Sequence, residues 1–243
     1  MRILIGSTLV LALATFATVP FNAQAPAGAA APAMQDADRA VANGGIFAQG
    51  WQGKIDAGAL KQGQTVNNAR LEQKGNVMTV TTGPAVTYWN PANVAAGNYT
   101  VKATFHEAKF MGLNDHPHPY GIVVAGSGMG TADESYLYCA AYGNGNFIVR
   151  GFGPAPFQMN GRRGGAAPSV NKAAGPGSPV TQEIAISVTN DAVNCSINGA
   201  VVGTYPKAEV VAAGKLKATD GVYGIRFAHN TEATVTGLTM TKN

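Results

Sequence analysis

Residues 135–152, SYLYCAAYGNGNFIVRGF, carry the pattern that decides the fold. Two runs rich in aromatic and β-branched residues flank Gly143-Asn144-Gly145, and Asn-Gly readily adopts the positive φ angles of a tight hairpin turn. The stretch therefore reads as two antiparallel strands, 135–142 and 146–152. Successive side chains on a strand point to opposite faces, so Leu137, Cys139 and Ala141 share one side and Tyr136, Tyr138 and Tyr142 the other.

The same device recurs downstream. Residues 192–197 and 200–205 surround Asn198-Gly199, a second hairpin in which Val193, Cys195 and Ile197 share a face. Both cysteines of the chain are thereby expected to point into one core, which permits a Cys139–Cys195 disulfide if their strands are neighbours. Such a bridge closes a long loop and adds roughly 3 to 4 kcal/mol in the chain-entropy account. The alternative is a pair of buried free thiols.

Further strands are expected at residues 77–82, 85–89, 98–106, 181–188, 221–228 and 234–240, with breaks at Gly83-Pro84 and Asn90-Pro91. Tyr120 to Ala125 is an unbroken apolar run, as in a strand buried on both faces. Many short strands and almost no helical pattern imply an all-β fold, a two-sheet antiparallel sandwich occupying 46–243 as a single domain. Residues 153–179 are dominated by Gly, Pro and Ala and read as a long mobile surface loop.

Composition agrees. Charged residues are 12% of the chain and glycine contributes 31 positions, a balance that suits strands and tight turns better than long amphipathic helices. Net charge is +4, the basic residues are scattered, and Arg162-Arg163 is the sole adjacent basic pair. That distribution lacks the concentrated positive stripe of a nucleic-acid partner.

The chain opens with Arg2, an apolar run from Ile3 to Val19 and Ala-x-Ala spacing at Ala25 and Ala27. This is the pattern of a signal peptide, assigned to residues 1–25, followed by a flexible leader over 26–45. The expected location is secreted or periplasmic, with no membrane partner once the signal is cleaved.

The order GWQGKID (50–56), TTGPAVTYWNPAN (81–93), PYGIVVAG (119–126), VNCSINGAVV (193–202) and DGVYGIRFAHN (220–230) resembles the concanavalin A-like lectin/glucanase jelly roll. Within that group it is most similar to small exported proteins with laminin-G-like or 3-keto-disaccharide hydrolase-like domains, related to family 16 glycoside hydrolases. The resemblance covers roughly residues 47–243. It implies a jelly roll with a glycan or oligosaccharide partner.

Catalytic motifs are missing. The Glu-x-Asp-x-x-Glu of family 16 glucanases, which sets two carboxylates about 5 Å apart, does not occur. Nor do a nucleophile elbow, a dinucleotide fingerprint, a phosphate loop, His-Glu-x-x-His or an EF-hand, so no cofactor is expected. An acid pair assembled from Glu107, Asp115, Asp133 or Glu134 on separate segments stays open. In NDHPHPYG (114–121), each histidine precedes a proline, which favours extended backbone and sends the His116 and His118 rings to different sides. That segment reads as an exposed entry to the following strand, with no metal site.

Sugar recognition needs aromatic platforms and amide or guanidinium donors. The ligand-binding candidates are Trp89, Asn90, Tyr120, Tyr138, Arg150, Arg226, His229 and Asn230. The leading expectation is a carbohydrate-binding, lectin-like domain that requires no catalysis. The alternatives are a glycoside-cleaving enzyme of the 3-keto-disaccharide hydrolase type and a structural or adhesion protein of the envelope.

Overall fold

The computed structural model describes residues 37–162 and 164–243. Residues 1–25, expected to be a signal peptide, and leader residues 26–36 lie outside the described residues. The first half of the domain contains β1 (Gly45–Phe47), β2 (Gln52–Ile55), β3 (Ala69–Lys74), β4 (Val77–Thr82), β5 (Val86–Ala95), β6 (Tyr99–Glu107), β7 (Tyr120–Ser127) and β8 (Ser135–Ala141). The second half contains β9 (Asn146–Phe152), β10 (Phe157–Gln158), β11 (Gly165–Ala166), β12 (Val180–Val188), β13 (Ala192–Ile197), β14 (Ala200–Pro206), β15 (Gly221–Phe227) and β16 (Glu232–Lys242). Helix is confined, among the described residues, to α1 (Ala57–Lys61), α2 (Lys207–Val210) and one 3₁₀ turn.

The strands form two sheets, as the jelly-roll reading requires. Sheet one runs β1-β3-β4-β16-β6-β12-β13-β14, and sheet two runs β10-β9-β8-β7-β15-β5-β2 with β11 also on β9. Every pairing is antiparallel except β1 with β3. Neighbours within a sheet can be far apart in sequence, as β6 and β16 are in sheet one.

Alternation makes the core. On β6, Tyr99, Val101, Ala103 and Phe105 point inward, and on β12 Ile184, Ile186 and Val188 do the same. They meet Leu137, Cys139 and Ala141 of β8 and Ile225 and Phe227 of β15. Each large side chain fully removed from water contributes about 1.5–3 kcal/mol, so this shared layer dominates stability. Cys139 and Cys195 form a disulfide from β8 to β13, joining sheet two to sheet one with Cα atoms 6.0 Å apart. The second hairpin turn has Asn198 at φ 51° and Gly199 at φ 82°, the positive pair a type I′ turn demands.

Two expectations change. Residues 153–179 contain packed structure: β10 and β11 both pair with β9, and Val170 is buried. Buried Gln182 explains part of this, because its amide accepts from Asn171 N and donates to Asn171 O at 3.0 and 2.8 Å. A glycine-rich strand can follow an edge closely, and here it covers the side of β9 left open by β8. Leader residues 37–39 are also tied down. Arg39 donates from Nε to Thr82 O and from its backbone N to Asn230 Oδ1, both at 2.8 Å.

Candidate binding face on sheet two

Strand β8 is buried at every position. One side faces the inter-sheet core, while the other builds a second apolar cluster of Val123, Tyr136, Tyr138, Ala140 and Ile148 on the outer face of sheet two. Period two places Arg226 of β15 on that outer face, between the inward Ile225 and Phe227. In register it lies opposite Thr87 of β5 and Gly121 of β7.

Arg226 organises this face. Its Nη1 donates to Thr87 Oγ1 at 2.8 Å and to the Tyr136 hydroxyl at 3.1 Å, and its Nη2 donates to Asp56 Oδ2 at 2.6 Å. The guanidinium carbon sits 5.2 Å from the Tyr138 ring centroid and 5.0 Å from that of Phe152, within cation–π range. Burial alone would lower its pKa, but Tyr136 and Asp56 outweigh burial and hold the guanidinium protonated beyond its ordinary range. Burial pushes the Tyr136 hydroxyl up to about 12, so it stays a neutral hydrogen-bonding group.

Around this centre lies a partly exposed rim of Met129, Tyr142, Arg150 and Phe152. Arg150 is opposite Tyr138 in the β8–β9 register and donates from Nη2 to Arg162 O at 3.0 Å. Its Nε is buried and has no hydrogen-bond partner among the described residues. On the far side, Lys54 Nζ meets Glu134 Oε1 at 3.0 Å and Thr131 O at 2.6 Å, which ties the β7–β8 loop to β2. That loop also brings Gly130, at φ 83°, against the Trp89 ring.

The structure sorts the sequence candidates. Tyr138, Arg150 and Arg226 come together on this face. Asn90 is partly buried on β5 beyond Trp89, where its Oδ1 accepts from Ala92 N at 3.0 Å. Trp89, 3% exposed, is roofed by the β7–β8 loop and is no open stacking platform. Tyr120 belongs to the inter-sheet core, its ring 5.5 Å from that of Phe105, because the continuous apolar run hid which side of β7 it occupies. His229 and Asn230 lie in the β15–β16 turn at one end of the sandwich. There Asn230 donates to Ala37 O and serves as an anchor for the N-terminal segment.

The candidates leave out other side chains of this face, among them Phe152, Asp56, Thr87 and Lys54. Phe152 was legible as the i+2 neighbour of Arg150 on one strand face. Asp56, Thr87 and Lys54 were not, because they reach the face only through the order β15-β5-β2. Of the dispersed acids, Glu134 pairs with Lys54, Asp115 with His116, and Glu107 is buried between the sheets.

The two packed antiparallel sheets form a jelly-roll sandwich with a galectin-like fold. A Bacillus subtilis protein of unknown function with a galectin-like fold superposes with a TM-score of 0.50 at 12% identity, over 79% of this chain and 89% of that one. A carbohydrate-binding module from Bacillus subtilis gives 0.47 at 9% identity, over 81% and 98%. The laminarinase catalytic domain of Thermotoga maritima gives 0.45 at 12% identity, over 80% and 84%. No protein-family model and no curated protein sequence matches the chain.

Proposed function

We propose that the outer face of sheet two binds a glycan and that the protein is an exported, lectin-like module. The observation that carries this reading is the rim. Tyr142 and Phe152 stand partly exposed beside Arg150, over a floor whose rigidity comes from the Arg226–Asp56–Tyr136–Thr87 network. Aromatic faces suit the C–H surfaces of a sugar ring, and guanidinium donors suit its hydroxyls. A floor held by charge-assisted hydrogen bonds loses little entropy on binding. Export is favoured by the inter-sheet disulfide, since such bonds persist in oxidising compartments.

The test is a glycan array probed with the wild-type protein, Phe152→Ala and Arg150→Ala. Wild type is expected to bind a defined set of glycans, and each variant to lose at least about tenfold in affinity, or ~1.4 kcal/mol, with unchanged circular dichroism. A folded wild type that binds no glycan would reject the reading. N-terminal sequencing of the protein from culture medium and periplasm tests export, and an intact Met1 in a cytoplasmic fraction would contradict it.

A further inference from the structure

The loop between β6 and β7 does not run extended. It bends at Asp115 and His116, and the bend turns the His116 ring onto His118, with centroids 4.3 Å apart in an edge-to-face arrangement. The sequence placed these rings on different sides; the structure gathers them. His118 is buried, and its ring also stacks on His229 of the β15–β16 turn at 4.2 Å. One ring nitrogen from each of His116, His118 and His229 lies within 4.8 Å of the others.

The remaining nitrogens define the chemistry. His116 Nδ1 lies 2.6 Å from Asp115 Oδ1, His229 Nδ1 lies 3.0 Å from Asp38 Oδ1, and His118 Nδ1 lies 2.5 Å from the backbone oxygen of His229. A carboxylate or carbonyl oxygen can only accept, so all three Nδ1 atoms must donate. In a neutral imidazole, each Nε2 then presents a lone pair. Yet His116 Nε2 and His118 Nε2 stand 2.7 Å apart. Two lone pairs facing each other at that distance would repel, so the contact takes either a proton shared as N–H···N or a metal ion bound by both nitrogens.

We propose that His116, His118 and His229 are the protein ligands of a zinc-type divalent transition metal. Three imidazoles are a common ligand set for such ions, and an acceptor behind each ring is the arrangement that fixes the metal-binding tautomer. Asp115, Asp38 and the His229 carbonyl fill that supporting role. Two nitrogens on one tetrahedral zinc stand roughly 3.3 Å apart, so binding would spread the His116–His118 pair by about half an ångström. The bend carrying His116 is exposed, its side chain 52% accessible, and can give way by that amount. Three protein donors leave a tetrahedral ion one further position. The ion would fasten the β6–β7 loop to the β15–β16 turn, with the segment at Asp38 joined to it through His229.

Zinc competition against a chromophoric chelator tests the site, with Co²⁺ absorption as a second readout. The purified, metal-stripped full-length protein is expected to bind one Zn²⁺ per chain and to give the intense visible bands of tetrahedral cobalt. His116→Gln, at an exposed position whose loss spares the core, is expected to weaken zinc at least 100-fold. Asp38→Asn, behind His229, is expected to weaken it about 10- to 100-fold. Wild-type zinc affinity in a His116→Gln/His229→Gln protein would overturn the assignment. So would a wild type that binds neither metal while NMR shows a proton shared by the two Nε2 atoms. None of these readouts depends on a glycan.

Discussion

On β6 the outward positions are Thr100, Lys102, Thr104 and His106, whereas on β8 they are Tyr136, Tyr138 and Ala140. The first set is solvated, with Lys102 reaching Glu183 at 3.7 Å and His106 meeting Thr181 at 2.8 Å. The second set is buried around a guanidinium. Both sheets share one core and one alternation rule, so folding alone does not require the second face to be apolar and charged together. A solvent-facing sheet ordinarily spends its outer positions on small polar residues, as sheet one does. The difference is one of burial and charge: the outer positions of β8 are packed around a guanidinium, and those of β6 stand in water.

Arg226→Ala should break the contrast most severely. It strips the partner from Asp56 and the donor from Thr87 and Tyr136, and is expected to cost about 3–4 kcal/mol in urea unfolding, part of the full buried-pair penalty because Asp56 is partly exposed. A cost under about 1 kcal/mol would show that the network does not organise the face.

Next comes Glu107, the inward residue at the end of β6. Burial raises its pKa to about 7 from 4.5, against the opposing hydrogen bond from the Met111 backbone. The folded value lies above the unfolded one, so the stability it supplies is complete below about pH 4.5 and is lost as pH rises through about 7. Glu107→Gln is therefore expected to match wild type near pH 4 and to exceed it by roughly 2–3 kcal/mol near pH 9, read from paired denaturation curves. Equal stabilities at both ends would contradict the buried, partly desolvated carboxyl.

The smallest effect belongs to the solvated face. Lys102→Ala is expected to shift unfolding by less than about 0.5 kcal/mol, because an exposed pair at 3.7 Å gains little against screening and side-chain entropy. A shift above about 1 kcal/mol would erase the asymmetry between the faces.

The all-β architecture was legible because it rests on local patterns. The Asn198-Gly199 turn takes the expected positive φ pair, whereas at 144–145 only Gly145 does; the alternation of 135–152 and 192–205 still set strand, face and the inward aim of both cysteines without any long-range information. Arg226 was also placed on its face by alternation. Tyr120 was not, because a strand apolar on both sides offers no period with which to choose between them. Trp89 failed for another reason: its cover is a loop from β7–β8, distant in sequence. The histidine cluster was invisible because the β6–β7 loop, the β15–β16 turn and the leader residue Asp38 behind His229 meet only through sheet order. Proline bias argued locally for an extended path, and the bend at Asp115 and His116 prevailed over it.

Amide chemical-shift mapping with a glycan recovered from the array tests the central claim most directly. The account predicts that perturbed amides cluster on β8, β9 and β15 around Tyr138, Arg150 and Arg226, while the amides of β6 and β12 stay in place. Perturbations concentrated on sheet one, or spread evenly over both sheets, would contradict it.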